Sequence, residues 1–194
     1  MIGRWISRVI MWLSGWHIHP TVPEGYERSV MLAVPHTSNW DLVYARAAFS
    51  LLRVPVRFTI KKEWLRPPFG WLLKPLGAIG IDRTPKNPGE PRPSMVEAMA
   101  DLFAQHQGPL VVLITPEGTR SKVTQWKSGF YHVAKMANVP ITLGYLDYAK
   151  KEAGVGAIVH LTDDFESDMR KIMDFYRGKT ARFPGQFSLD ERFA

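Results

Sequence analysis

The sequence contains no cysteine among its 194 residues. This absence excludes disulfide bonds, thiolate-bound metals and a cysteine nucleophile, and it fits a reducing compartment. The chain also lacks a run of Lys and Arg and any recognisable nucleic-acid-binding module, so we expect no nucleic-acid partner. The spacing of His, Asp and Glu is not typical of metal ligands, and we therefore predict no metal site.

Charged residues are a modest 22% of the chain, and hydrophobic residues make up 45%. This composition and length are typical of one globular domain with a substantial core. The 25 Lys and Arg exceed the 18 Asp and Glu and give a formal net charge of +7. Such an excess suits an anionic partner, although a basic soluble enzyme is an alternative. Seven Trp and ten Phe favour a membrane surface as that partner.

Long hydrophobic runs are absent as well. Residues 1–18 are apolar at largely helical spacing but are interrupted by Arg4, Ser7 and Arg8. The segment is shorter than the roughly 20 apolar residues that span a bilayer, and it lacks a signal-peptide cleavage site. We predict an N-terminal amphipathic helix over residues 1–18, followed by one domain over residues 19–194. The helix either packs on the domain or lies in the membrane interface.

Strand and helix patterns alternate along the rest of the chain. This alternation predicts a single-domain α/β fold with a mixed, largely parallel sheet flanked by helices. Ser38 with Asp41 and Ser94 with Glu97 have the spacing of capping boxes that start two helices. The proline-rich residues 84–93 are predicted to form a surface loop, and the tail 177–194 has no clear pattern. The strands are predicted at residues 29–34, 54–60, 78–81, 110–114, 141–145 and 155–160, and further helices at residues 129–138 and 164–176.

His36 and Asp41 are five positions apart at a predicted strand-to-helix turn. A carboxylate that accepts one ring N–H of an imidazole leaves the other nitrogen free to act as a general base. Neither a Ser nor a Cys stands out as a nucleophile here, which favours direct transfer over a covalent enzyme intermediate. The alternative is that Asp41 serves only in the capping box of the helix that Ser38 begins.

Two further polar segments, Arg83 and residues 117–121, also follow predicted strands directly. Ligands of open α/β folds bind beyond the carboxyl ends of the strands, so parallel neighbours would bring these segments close to His36. Guanidinium groups bind phosphate through paired hydrogen bonds. The alternatives are a plain turn, in which Gly118 supplies an unusual φ, and a surface ion pair between Asp82 and Arg83.

With these segments in place, the chain resembles the glycerolipid acyltransferases typified by 1-acylglycerol-3-phosphate (lysophosphatidic acid) acyltransferase. His36 to Asp41 is similar to the first motif of that family, His-x4-Asp. The other three motifs follow in order, as Lys62-Glu63-Trp64-Leu65 with Gly80-Ile81-Asp82-Arg83, then Pro116-Glu117-Gly118-Thr119-Arg120-Ser121 with Trp126-Lys127-Ser128-Gly129, and then Val139-Pro140-Ile141.

The resemblance implies that a fatty acyl group moves from acyl-CoA or acyl-carrier protein to the free hydroxyl of a lysophospholipid such as 1-acylglycerol-3-phosphate. His36 would deprotonate that hydroxyl and Asp41 would orient the imidazole. No cofactor beyond the thioester co-substrate is implied. The phosphate of the acceptor would be held by Arg83, Glu117, Gly118, Thr119 and Arg120, with Lys62 as a further candidate.

We therefore expect a peripheral membrane enzyme on the cytoplasmic, inner face of the cell membrane. Longer members of the family carry a hydrophobic N-terminal anchor, whereas this chain has the segment 1–18. Three alternatives stay open: an acyltransferase for another acceptor such as an amino-acid lipid, a CoA-independent transacylase, and a non-catalytic lipid-binding module. The acyl-chain length and the oligomeric state are left open by the sequence.

Overall fold

The computed structural model describes residues 3–85, 89, 91–162 and 164–194. Within these residues one sheet is built from β1 (His17–Ile18), β2 (Arg28–Val34), β3 (Val56–Lys61), β4 (Ala78–Ile81), β5 (Leu110–Ile114), β6 (Ile141–Asp147) and β7 (Glu152–Val159). Their order across the sheet is β1-β7-β6-β2-β5-β3-β4. All neighbours are parallel except β6 and β7, which pair antiparallel. The predicted mixed, largely parallel sheet is confirmed.

Helices cover both faces of this sheet. They are α1 (Arg4–Ser14), α2 (Asn39–Leu52), α3 (Phe69–Leu73), α4 (Met95–Gln105), α5 (Gly129–Ala137) and α6 (Phe165–Arg177), with short 3-10 turns at Lys62–Leu65 and Pro184–Gln186. Side chains of α1 and α2 pack in one core cluster, and those of α4, α5 and α6 pack in the other. The central strand β2 serves both clusters, because Val30 and Leu32 point to one and Met31 to the other, all fully buried.

Both predicted capping boxes are present. Ser38 accepts from the backbone N–H of Trp40, and the Asp41 carboxylate accepts from the Ser38 backbone, which starts α2. Ser94 and Glu97 make the reciprocal pair of bonds at the start of α4. A first-turn carboxylate also complements the positive end of the helix dipole. The predicted loop over residues 84–93 includes residues 86–88 and 90, which lie outside the described residues.

The N-terminal segment differs from the prediction. The helix ends at Ser14, because Gly15 adopts a left-handed conformation (φ 69°) that closes it. Residues 17–18 then form β1, which pairs with Glu152–Ala153 of β7. The sequence gives little sign of β1, since two residues are too few for an alternating pattern.

The helix α1 carries three large apolar side chains on the side facing away from the protein. Ser7 and Met11 are buried against the domain, while Trp5, Trp12 and Leu13 are 73%, 79% and 72% exposed. A surface helix of a soluble domain usually shows the reverse arrangement. Among the described residues, no helix combines the length and apolar character needed to cross a bilayer.

Candidate active site

His36 lies just beyond the carboxyl end of the central strand β2, between β5 and β6. Pro35 separates it from the strand, and α2 begins three residues later at Asn39. The local sequence produces this arrangement because Pro35 cannot continue the ladder of hydrogen bonds and Ser38 caps the next helix. The imidazole is thereby held at the sheet edge where ligands of α/β folds bind.

Asp41 faces the imidazole from the first turn of α2. Its Oδ2 atom lies 3.4 Å from Nδ1 of His36 and accepts the backbone N–H groups of Thr37 (2.7 Å) and Ser38 (2.8 Å). The capping role and the pairing with His36 are therefore compatible, since one carboxylate does both. The side chain of His36 is 21% exposed and that of Asp41 is 4% exposed. A substrate can therefore reach the imidazole, while the carboxylate is buried behind it.

Tyr148 completes the set of groups around Asp41. Its hydroxyl donates to Oδ1 of Asp41 over 2.6 Å. Burial acts to raise the pKa of Asp41, but the hydrogen bonds from His36, Tyr148 and the backbone outweigh it and hold that pKa below its ordinary value. Burial, together with the bond to Asp41, raises the pKa of Tyr148, which keeps the phenol protonated. Asp41 is thus ionised at neutral pH.

The sequence analysis did not single out Tyr148. The residue directly follows β6, a neighbour of β2, so the same rule that selected the polar segments after other strands could have selected it. Its ring packs edge-on against Trp16 at 4.8 Å, and its backbone N–H donates to Thr180 in the C-terminal tail.

Glu117 contacts the backbone of His36 from the turn that follows β5. Its carboxyl group is buried, and Oε1 accepts the backbone N–H of His36 over 3.0 Å. Among the described residues, nothing hydrogen-bonds to its buried Oε2 atom. Burial raises the pKa of Glu117 to about 7. A buried carboxyl group that turns toward the protein is unsuited to hold an anion, because any charge on it repels phosphate. The geometry instead links Glu117 to the backbone of His36.

The rest of the third motif lines a polar cleft beside His36. This cleft has a volume of about 480 Å³ and contains Thr115, Gly118, Thr119, Arg120 and Ser121. Gly118 has a φ of 66°, and a Cβ atom built there would lie 2.6 Å from Nζ of Lys127. The predicted unusual φ at Gly118 is confirmed, and the turn exposes Thr119 and Arg120 to the cleft.

Lys62 and Arg83 line a different cleft, of about 930 Å³, at the ends of β3 and β4. Three strand spacings separate β4 from β2, which places this cleft roughly 14 Å along the sheet from His36. Lys62, rather than Arg83, pairs with Asp82, and the bond from Lys62 lowers the pKa of Asp82. Nε of Arg83 donates to the carbonyl of Pro93 over 2.7 Å. The predicted convergence on His36 thus includes Arg120 but not Arg83.

A narrow apolar cavity of about 70 Å³ lies on the other side of His36. It passes between α2 and the sheet and is lined by side chains that share an aliphatic or aromatic character, among them Val34, Leu42, Ala45, Phe49 and Leu113. Its lining also includes the titratable residues His36, Asp41 and Tyr145. The imidazole therefore separates an apolar cavity from a polar cleft.

The C-terminal tail folds back over this edge of the sheet. The backbone N–H of Phe183 donates to Oγ1 of Thr37, next to His36. The guanidinium of Arg182 lies 5.6 Å from the centre of the Trp40 ring and lowers the pKa of Tyr148 in opposition to the larger effect of burial. Arg182 is a second site residue that the sequence analysis missed, because the tail had no recognisable pattern.

Comparison with known proteins agrees with this geometry. The family model described as Acyltransferase matches residues 17–142, a range that contains His36, Asp41, Arg83 and Arg120. No curated protein matches the chain. The fold is similar to the crystal structure of the 1-acyl-sn-glycerophosphate (LPA) acyltransferase, PlsC, from Thermotoga maritima, with a TM-score of 0.56 and 14% identity over 90% of this chain and 75% of that one. The chain belongs to the acyltransferase family.

Proposed function

We propose that this protein transfers a fatty acyl group from a thioester, acyl-CoA or acyl-carrier protein, to the free hydroxyl of a lysophospholipid such as 1-acylglycerol-3-phosphate. The observation that carries the proposal is the imidazole of His36, held through Nδ1 by an ionised Asp41 between a polar cleft and an apolar cavity. This arrangement leaves Nε2 free to take a proton.

The proposed reaction is one direct transfer. Nε2 of His36 takes the proton of the acceptor hydroxyl while its oxygen attacks the thioester carbonyl. The new ester C–O bond forms, the C–S bond breaks, and the thiolate leaves with the proton that the imidazolium returns. Asp41 stabilises the imidazolium during the step. General-base assistance of this kind contributes about 10²–10⁴-fold in rate.

The two clefts suit phosphates at different distances from the reacting atoms. The phosphate of a lysophosphatidic acid is only a few bonds from its free hydroxyl, so Arg120, in the cleft with His36, fits that group. Arg83 lies roughly three strands away and fits a remote phosphate, such as those of the CoA or phosphopantetheine carrier. Lys62 contributes less, because its ammonium is already paired with Asp82.

We assign Glu117 to the positioning of His36, since it accepts the backbone N–H of that residue. The apolar cavity beneath α2 takes carbons of the acyl chain, because burial of methylene groups is favourable and its walls are aliphatic. The exposed Trp5, Trp12 and Leu13 of α1 support a peripheral position on the inner face of the cell membrane, where lysophospholipid is available.

The decisive experiment is an acceptor screen that follows thiol release from acyl-CoA and from acyl-carrier protein. We expect release that depends on lysophosphatidic acid and falls at least 10²-fold in His36→Ala, with an unchanged unfolding curve. Acyl transfer that persists in His36→Ala would contradict the assignment of the base. Transfer to an amino-acid lipid, transfer from a phospholipid without CoA, or liposome binding without any thiol release would each favour one of the alternatives.

A further inference from the structure

A second charged cleft lies at the opposite edge of the sheet from His36. Its volume is about 600 Å³, and it is formed by the C-terminal end of α2, the amino ends of β3 and β4, and the start of α1. No Asp or Glu of the described residues lines it. Its charged residues are all cations, namely Arg4, Arg46, Arg53, Arg57 and Lys74.

Among the cations of this cleft, Arg46 is the buried one with an unsatisfied hydrogen-bond donor. Its side chain belongs to α2, and the residue is only 7% exposed. Its Nε atom is buried and has no hydrogen-bond partner within the described part of the chain. Burial first, and then repulsion from Arg57, lower the pKa of Arg46. A buried guanidinium with an unused donor is costly unless an anion completes it.

The backbone is close to Arg46 on one side, at Gly77. A Cβ atom built at Gly77 would lie 2.7 Å from the carbonyl oxygen of Val56 and 3.5 Å from Nη1 of Arg46. Glycine at this position thus allows β3 and the turn before β4 to approach each other closely beside the guanidinium. The negative end of the α2 dipole attracts cations, which accounts for Arg53 at the C-cap but not for Arg46 inside the helix or Arg57 on β3.

We propose that this cleft binds the phosphate of an anionic phospholipid head group in the membrane on which the enzyme works. The cleft adjoins two elements that expose apolar side chains. Arg4 at its rim is followed by Trp5 of α1, and Lys74 follows Trp71 and Leu72 of α3, which are 76% and 67% exposed. Aromatic side chains beside basic groups are typical of a membrane interface.

The head-group cleft is separate from the reaction centre. The 14 residues of α2 run from Asn39 at the catalytic end to Leu52, next to Arg53 of this cleft, a distance of roughly 20 Å. The bound lipid would therefore anchor and orient the enzyme without being its substrate. This inference rests on the proposed function in one respect: the membrane on which the enzyme acts supplies the anionic lipid.

The test uses vesicle sedimentation of the full chain without an acyl donor. Vesicles of phosphatidylcholine alone are compared with vesicles that also contain phosphatidylglycerol. Arg53→Gln/Arg57→Gln removes two exposed cations of the cleft, and Arg170→Gln/Arg177→Gln removes two exposed cations of α6 on the other face of the sheet. At about 1 kcal/mol per cation near an anionic surface, the cleft variant should lose roughly 30-fold in affinity for anionic vesicles.

The α6 variant should keep the preference of the wild type for anionic vesicles. An equal loss in both variants would overturn the proposal, because it would mean a general attraction of positive charge. Binding of inorganic phosphate that needs Arg53 and Arg57, together with equal sedimentation of the wild type on both kinds of vesicle, would overturn the lipid as the source of the phosphate. Trp5→Ser/Trp12→Ser should weaken binding to both kinds of vesicle.

Thiol release with detergent-dispersed lysophospholipid separates this proposal from the proposed function. We expect Arg53→Gln/Arg57→Gln to release thiol at the wild-type rate, since neither residue lies near His36. A wild type that transfers no acyl group but still binds anionic vesicles through Arg53 and Arg57 would refute the function and support the cleft. A cleft variant that loses thiol release in detergent would overturn the separate anchoring role.

Discussion

The hydroxyl of Tyr148 donates to Oδ1 of Asp41 across 107 positions of the sequence, over 2.6 Å. Oδ1 of Asp41 thus accepts from Tyr148, while Oδ2 faces His36 and accepts from the backbone N–H groups at the start of α2. The carboxylate is fixed from both sides of the sheet edge, by the turn after β2 and by the turn after β6. In the proposed mechanism, Tyr148 therefore acts on the base His36 through Asp41, as a positioning residue.

Replacement of Tyr148 by Phe tests this relation. The change removes one hydrogen bond to a charged group, worth about 1.5–3 kcal/mol, so kcat should fall by roughly tenfold or more. Loss of that bond also raises the pKa of Asp41, because the bond favours the ionised form. Without that bond the Asp41 carboxylate also attracts the protonated imidazole of His36 more strongly, so the acid limb of the pH profile of kcat, which reports protonation of the base, should move to higher pH.

Tyr44→Phe is a matched control, since the Tyr44 ring lies 6.1 Å from that of Tyr148 in the same aromatic group. The control should leave the pH profile in place. A Tyr148→Phe enzyme with reduced kcat but an unmoved acid limb would show that the phenol serves only packing.

Much of the fold and part of the site follow from local patterns. Proline and the Ser38 capping box fix the turn that carries His36, and the buried run of β2 marks it as a central strand. The rule that ligands bind beyond strand ends places Arg120 near His36. The sequence does not contain the strand order, which decides that Arg83 and Lys62 end on a neighbouring cleft rather than beside the imidazole.

Long-range contacts account for what sequence reasoning missed. Glu117 and Tyr148 approach the His36–Asp41 pair only because β5 and β6 flank β2. The inward turn of the Glu117 carboxyl group depends on the backbone N–H of His36, 81 positions away. Spacing along the chain shows neither contact, so the motif alone suggested a phosphate ligand, whereas the contact with His36 leads us to propose a positioning role.

Glu117 should make stability fall as pH rises. Its pKa is about 7 in the folded protein and 4.5 ordinarily, so between these values the folded chain holds a proton that the unfolded chain has released. The contribution of Glu117 to the free energy of unfolding is therefore largest below pH 4.5. Between pH 4.5 and pH 7 this contribution falls by about 3 kcal/mol, at about 1.4 kcal/mol per pH unit.

Urea unfolding of Glu117→Gln at pH 5 and pH 8 measures this contribution. The amide does not titrate, so we expect the variant to lose most of the fall in stability that the wild type shows. Glu166→Gln, an exposed carboxylate on α6, should keep the wild-type dependence. Identical pH dependence in Glu117→Gln and the wild type would contradict the raised pKa.

Arg120→Ala should weaken binding of the acceptor phosphate. Loss of a charge-assisted hydrogen bond costs about 1.5–3 kcal/mol, so KM for lysophosphatidic acid should rise roughly 10- to 100-fold. KM for a monoacylglycerol, which lacks the phosphate, should change little. Arg83→Ala should instead raise KM for acyl-CoA, because that cleft lies roughly 14 Å along the sheet from His36.

Lys122→Ala, an exposed cation two positions from Arg120, is the control for the loss of positive charge. It should leave both KM values near those of the wild type. If Arg83→Ala raised KM for lysophosphatidic acid and Arg120→Ala did not, the two clefts would have to exchange their assigned phosphates.

Ala45→Val tests whether the cavity beneath α2 holds the acyl chain. Ala45 is nearly buried on α2 and lines the cavity, so the two added methyl carbons of Val would occupy space next to His36. Each methylene that a pocket admits or refuses is worth about 1–3 kcal/mol, so kcat/KM for long-chain donors should fall at least about tenfold relative to short-chain donors. Ala98→Val, in the equally buried interior of α4, controls for overpacking, which costs a similar 1–3 kcal/mol of stability in either helix. If Ala45→Val lowered kcat/KM equally for donors of all acyl-chain lengths, and Ala98→Val did the same, the acyl chain would have to bind outside this cavity. A selective loss for long chains would instead assign the cavity to the acyl chain, with His36 in its lining.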